Sequence, residues 1–259
     1  MKKIGIITGA SSGMGAEFAR QLARTNLCQQ IWIIARREDK LQALKDEIKA
    51  FSQVEIIPLA MDLTGAKGAE NFRDYLSKQT DFEIKILVNN AGFGTYGPFE
   101  ETPVEREMQM LDLNCTSLTG ICGYALPYMK KGSIIINTSS LAAFMPLGNF
   151  AVYAASKAYV LNFSLALAAE LKPRGISVTA LCPGSVSTEF ANVASNGVRK
   201  EVKGGLSCQK TVAHCIKRAL SGRHTALAFA KWRITAFLSR FVGRYLVADF
   251  TYKFNKRPH

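Results

Sequence analysis

Apolar positions along this chain follow two alternating rhythms. Short, largely apolar runs occur at 3–7, 30–35, 54–60, 84–88, 133–137, 176–181 and 225–229. Runs this short, closed by Gly, Asn, Asp or Pro, read as strands buried on both faces. Between them, apolar residues recur at three- and four-residue spacing. Phe18, Leu22 and Ala23 form one such set, and Leu41, Leu44 and Ile48 another. Leu161, Leu165 and Ala168 mark a helix over 149–171, closed by Pro173 and Gly175, and a further helix is expected over 209–220. Thr102-Pro103-Val104-Glu105 reads as a helix start, with Thr as N-cap, Pro at N1 and Glu at N3, and the pattern runs on to Tyr128. No repeat and no linker divides the chain. Strand and helix alternate, so the prediction is one α/β domain, a doubly wound parallel sheet. Residues 189–207 are polar, rich in Gly and Ser, and aperiodic, which suggests a mobile substrate lid over about 185–207.

The chemistry-bearing residues fall at strand ends. Thr8-Gly9-Ala10-Ser11-Ser12-Gly13-Met14-Gly15 follows the first strand and opens a helix. In that context Gly9 permits the tight turn, Gly13 lets backbone approach a pyrophosphate, and Gly15 allows close helix–strand packing. The second strand ends at Ala35 and is followed by Arg36-Arg37, where an acidic residue often holds a ribose 2′-hydroxyl. A cation there suits a 2′-phosphate and favours NADP over NAD. Asp62, followed by Leu63, either accepts from an adenine amino group or caps the next helix. Asn89-Asn90-Ala91-Gly92 closes the fourth strand, and Gly92 and Gly94 allow a close pass by a ligand. Ser140 follows the fifth strand. Tyr153 and Lys157 stand four residues apart, on one helix face. A lysine cation beside a phenol favours the phenolate and lowers its pKa. Asn114, inside an apolar stretch, is either a satisfied core amide or a group that orders water near Lys157.

Charge changes the picture at one end only. Residues 199–259 hold fourteen Lys/Arg against two acids, whereas 1–198 hold nineteen against eighteen. Within 231–256, Ile234, Phe237, Leu238, Phe241, Val242, Tyr245 and Leu246 define an amphipathic helix flanked by Lys231, Arg233, Arg240 and Arg244. It packs on the domain or a second subunit, or lies on an anionic membrane or over an apolar substrate. Nucleic acid is not expected, because no recognised module accompanies the charge. Six cysteines without a Cys-x-x-Cys pair suggest free thiols in a reducing compartment, and no metal site is expected. The first apolar run is too short for a signal peptide, and no run of about 18 apolar residues exists, so no membrane span is expected. The expectation is a cytoplasmic protein, with peripheral membrane contact through the last helix as the open point.

Taken in order, residues 8–15, Asp62, Asn89 to Gly92, Asn114, Ser140, Tyr153, Lys157 and Pro183-Gly184 through Thr188 resemble the short-chain dehydrogenase/reductases, over about residues 3–230. The resemblance implies a Rossmann-type sheet of about seven strands with helices on both faces, here with a basic C-terminal extension over 231–259. It implies that Tyr153 acts as acid or base, that Lys157 lowers its pKa and binds the nicotinamide ribose, that Ser140 holds the substrate oxygen, and that Asn114 positions a water. It further implies dinucleotide contacts from Gly9, Ser11, Ser12, Gly13, Met14, Gly15, Arg36, Arg37, Asp62, Leu63, Asn90, Ala91, Gly92, Pro183, Gly184, Val186 and Thr188. The implied activity is NADP(H)-dependent interconversion of a ketone and a secondary alcohol. The substrate is expected to be apolar, such as a steroid or bile acid, from Leu141, Phe144, Met145, Leu147 and Phe150, with Phe93 and Tyr96. The alternatives are reduction of a 3-oxoacyl thioester and, in another class, a non-catalytic dinucleotide-sensing or membrane-recruited protein. Family members commonly form homodimers or homotetramers.

Overall fold

The computed structural model describes residues 1–199, 205–257 and 259. Seven strands form one sheet: β1 (Lys2–Thr8), β2 (Gln30–Ala35), β3 (Glu55–Ala60), β4 (Phe82–Asn89), β5 (Ile134–Thr138), β6 (Ser177–Leu181) and β7 (Thr225–Ala226). Their order is β3-β2-β1-β4-β5-β6-β7, and every pair is parallel. The chain winds outward from β1 in one direction and from β4 in the other. Their carboxyl ends therefore diverge and leave a crevice, the usual ligand site of such sheets.

Alternate residues of each strand feed two cores. On one face Ile7, Ile33, Val88 and Ile136 pack against Phe18 and Leu22 of α1 (Gly13–Ala23), Leu41 of α2 (Glu38–Lys49) and Val212 of α8 (Cys208–Leu220). On the other, Ile6, Ile34, Leu87 and Ile135 meet Phe72 of α3 (Gly65–Ser77), Ile121 of α5 (Leu118–Ala125) and Val160 of α6 (Ala151–Leu171). Phe18 and Phe72 are fully buried, each contributing about 2–3 kcal/mol. The segment Ala151–Arg174 is long and apolar enough to cross a membrane by length and composition, although no such span was expected, and half of its 18-residue apolar window is buried inside the fold.

Four expectations need correction. The helix after residue 102 begins at Val104, because the Pro103 carbonyl accepts the first turn's bond from the Glu107 N–H. Thr102 is not its cap and donates instead to the Phe99 carbonyl. That helix, α4 (Val104–Leu111), does not run unbroken to Tyr128; a π-helical stretch, Asp112–Ser117, separates it from α5. β7 is shorter than 225–229, since β6 gives way to the Cys182-Pro183 turn and leaves nothing further to pair with. The C-terminal segment is two helices, α9 (Ala230–Leu238) and α10 (Arg244–Phe254), separated near Gly243. Part of the expected lid is ordered: α7 (Phe190–Ala194) covers the crevice and Val186 bridges to Leu206. Lid residues 200–204 lie outside the described residues.

Candidate active site

β1 ends in Thr8, whose hydroxyl accepts the backbone N–H groups of Asn90 and Ala91, both at 3.0 Å. This ties the tips of β1 and β4 together at the crevice, a contact that no local spacing encodes. The loop after Thr8 turns at Gly9, where φ is +67° and an added Cβ would meet the Ala91 Cα at 2.8 Å. At Gly15 an added Cβ would lie 2.1 Å from the Gly9 carbonyl oxygen. The loop therefore closes only with glycine at both positions, and it presents the N-terminus of α1 to the crevice. The expected dinucleotide-contact residues other than Gly15, together with Ser140, Tyr153 and Lys157, line one cleft of about 760 Å³. The residues present thus fit a dinucleotide.

At the β2 end of the cleft the two arginines differ. Arg37 donates to Ser11 Oγ at 3.0 Å and pairs with Glu189 at 3.0 Å. Hydrogen bonds from Arg37 and then Ser12 hold the Glu189 carboxyl below its usual range. Glu189, which sequence reasoning missed, so links the lid to the glycine loop. Arg36 lines the cleft without an ion pair among the described residues. Asp62 Oδ1 accepts from the Thr64 N–H at 2.9 Å and the Thr64 hydroxyl at 2.7 Å, which lowers its pKa. One carboxylate oxygen thus shapes the entry to α3, while the residue still borders the cleft.

The carboxyl end of β5 and the first turns of α6 bring the reactive groups together. Ser140 Oγ accepts from the Ala142 N–H at 3.1 Å. Tyr153 is buried, and its ring stacks on Phe150 at 4.1 Å. Lys157 donates to the Thr138 carbonyl at 2.9 Å, and its ammonium stands 5.5 Å from the Tyr153 ring centroid. Burial raises the Tyr153 pKa, with Ser140 pulling in the opposite direction. It also lowers the Lys157 pKa to about 8. The expected depression of the Tyr153 pKa by Lys157 is therefore not found. The ammonium faces a backbone carbonyl, and desolvation of the phenol dominates.

Asn114 does not line the cleft. Set on the π-helical stretch, its amide donates to the Phe93 carbonyl at 2.9 Å and Ser156 Oγ at 3.1 Å, and accepts from the Phe93 N–H at 3.1 Å. It fixes the loop after β4 beside Lys157, so of the two readings open for it, the satisfied core amide matches these bonds.

Beyond Tyr153 the cleft becomes aromatic. Tyr96, Phe150, Tyr153 and Phe190 contact one another in series. Trp232 of α9 covers Gly184, where an added Cβ would approach its ring to 2.5 Å. The chain end returns to this pole. Asn149 donates to the Tyr252 carbonyl at 3.0 Å, His259 pairs with Glu101 at 2.7 Å, and Arg257 lies 4.3 Å from the Phe150 centroid. Arg106 donates to the Val193 carbonyl of α7 at 2.6 Å. Arg106, Trp232 and Arg257 were not legible as site residues, because only tertiary packing carries α4 and the tail here.

Comparisons with known proteins agree with this geometry. A family model described as short chain dehydrogenase matches residues 3–198. The 17-beta-hydroxysteroid dehydrogenase type 3 of Mus musculus is 29% identical over 254 residues, 96% of this chain and 79% of that one. The very-long-chain 3-oxoacyl-CoA reductase of Ajellomyces capsulatus is 36% identical over 181 residues, 67% of this chain. The match spans 52%, about half, of that reductase. A short-chain dehydrogenase from Sphingobium yanoikuyae in complex with NADPH superposes with a TM-score of 0.80 at 27% identity, covering 92% of this chain and 94% of that one.

Proposed function

The chain belongs to the short-chain dehydrogenase family, and we propose that it is an NADP(H)-dependent oxidoreductase interconverting a ketone and a secondary alcohol. One observation carries this reading: Ser140, Tyr153 and Lys157 border the same cleft as the glycine loop, at the divergence of β1 and β4. Bound in that cleft, the nicotinamide supplies or takes up the hydride. Tyr153 gives its proton to the carbonyl oxygen, and Ser140 donates a hydrogen bond to the same oxygen as negative charge develops. Lys157 binds the ribose hydroxyls, and Asn114 holds the loop that floors this pocket. Consumption of NADPH in the presence of a carbonyl panel tests the reading. No turnover across the panel, with NADPH still bound, would favour the non-catalytic dinucleotide-binding alternative.

Protonation sets an expected pH profile. Burial keeps the Tyr153 phenol protonated, so it is ready to act as an acid. Lys157 is cationic below about pH 8. Reduction measured as kcat/KM is expected to be level below that value and to fall above it as Lys157 loses its charge. Alcohol oxidation, which needs the phenolate, should rise with pH. A reduction rate that climbs through pH 8 would contradict this assignment.

The substrate is proposed to be apolar. Support comes from Phe93, Tyr96, Leu141, Met145, Leu147 and Phe150 along the cleft, and from relatives named for a steroid and a very long acyl chain. A steroid or bile acid is the first reading and a 3-oxoacyl thioester the second. Val104, Met108 and Leu111 form an exposed apolar row on α4, which supports a homodimer or homotetramer.

For the C-terminal extension over 231–259 the proposed partner is an anionic bilayer surface met by a cytoplasmic protein. Phe241, Tyr245 and Leu246 are 73%, 80% and 66% exposed. Residues 230–256 carry six Lys/Arg and one acid, Asp249, so charge complementarity favours anionic lipid. The full chain is expected to co-sediment with phosphatidylserine vesicles and less with phosphatidylcholine, and Phe241→Asp/Tyr245→Asp should abolish it. Unchanged sedimentation would refute the bilayer, and a change in oligomeric state instead would give this face to a second copy.

A further inference from the structure

The substrate pole of the cleft is less apolar than its aromatic lining suggests. Arg257, two residues from the chain end, reaches back over it. Its guanidinium carbon lies 4.3 Å from the Phe150 centroid and 5.0 Å from the Tyr96 centroid. Phe150 is also the ring on which Tyr153 stacks. No carboxylate forms an ion pair with Arg257 among the described residues. Burial lowers its pKa, while the phenols of Tyr96, which it hydrogen-bonds, and Tyr153 act in the opposite direction. Arg106 also lines the cleft, with its Nε buried and lacking a hydrogen-bond partner among the described residues.

A half-buried guanidinium held on two rings, with a phenol as hydrogen-bond partner and no carboxylate paired with it among the described residues, still has N–H donors to offer an anion. The position of the tail is not accidental to the fold: the Gly148 N–H donates to Thr251 Oγ at 2.9 Å, and His259 is paired with Glu101. These contacts fix the chain on both sides of Arg257. A guanidinium offers a planar fork that fits a carboxylate with two parallel hydrogen bonds. Its place against Phe150 sets the anion close to the carbon that Tyr153 and Ser140 would serve.

We propose that Arg257 is a substrate-binding residue that recognises a carboxylate, so that the natural substrate is an apolar ketone or alcohol bearing a carboxylate near the reacting carbon. This rests on the oxidoreductase reading above and, within apolar substrates, points away from a neutral steroid or a thioester toward a keto or hydroxy acid. The carboxylate meets the Arg257 guanidinium, while the apolar body follows the aromatic lining. No covalent step is added by this site.

The test is calorimetric titration of the full chain, with NADP⁺ present, using β-benzoylpropionate and its methyl ester. The wild type is expected to bind the acid about ten- to hundredfold more tightly than the ester, the range of a charge-assisted hydrogen bond. In Arg257→Met that preference should vanish while ester binding is kept, and Arg257→Lys should retain part of it. Equal binding of acid and ester by the wild type, a preference that survives Arg257→Met, or equal loss of both ligands would each overturn the proposal. Parallel NADPH-consumption assays keep the two readings apart. An acid that binds with the expected preference, with neither it nor any carbonyl of the panel reduced, removes the oxidoreductase reading and leaves the anion site. Acid and ester reduced alike with equal affinity remove the anion site and leave the oxidoreductase.

Discussion

Tyr153→Phe is expected to lower kcat for carbonyl reduction by roughly a hundred- to ten-thousandfold, the range for loss of a positioned general acid. The substitution removes only the hydroxyl. The ring keeps its stack on Phe150 at 4.1 Å and its contact with Phe190 at 5.4 Å, so the wall of the cleft is unchanged. Ser140 remains held through Ala142, and Lys157 through Thr138. Binding of NADPH, followed by its fluorescence, should therefore match the wild type. Single-turnover reduction of a ketone found in the carbonyl panel separates the chemical step from binding. A variant that reduces it at near the wild-type rate would remove Tyr153 from the mechanism. A variant that fails to bind NADPH would show that the hydroxyl has a structural task instead.

What could be read from residues alone follows the range of the forces involved. Strand and helix periodicity are local, so β1 to β6 and most helices fall close to where the apolar rhythm sets them. The glycine loop is local too, because Gly9 and Gly15 answer to backbone contacts at the strand tip. The Tyr153 and Lys157 pair needed only one helical turn. What escaped depends on distant packing. The π-helical stretch at Asn114 arises where an amide is drawn to Phe93 and Ser156, which no spacing rule encodes. The pKa relation between Tyr153 and Lys157 depends on burial and on the Thr138 carbonyl, neither of which is visible from a four-residue spacing. The basic tail read as one amphipathic helix because its stripe is continuous. Its separation near Gly243 lets α10 and the chain end turn back, so that Arg257 reaches the cleft.

The pair at the end of β2 carries the remaining large effect. Arg36→Asp is expected to move the ratio of kcat/KM for NADPH over NADH by roughly a hundred- to thousandfold toward NADH. Arg37 is engaged by Ser11 and Glu189, whereas Arg36 borders the cleft and has no ion pair among the described residues. Arg36 is thus the cation left to meet a 2′-phosphate. Losing a charge-assisted contact costs about 1.5–3 kcal/mol, or roughly ten- to hundredfold. The new carboxylate adds repulsion toward the phosphate and accepts from the free 2′-hydroxyl of NADH. Arg36 is exposed and supports no part of the core, so thermal stability should hold. Kinetics with both cofactors on one ketone, with dissociation constants measured in the absence of ketone, give the ratio twice by independent routes. If both routes leave it unchanged, Arg36 does not select the cofactor, and the NADP(H) assignment loses its main support.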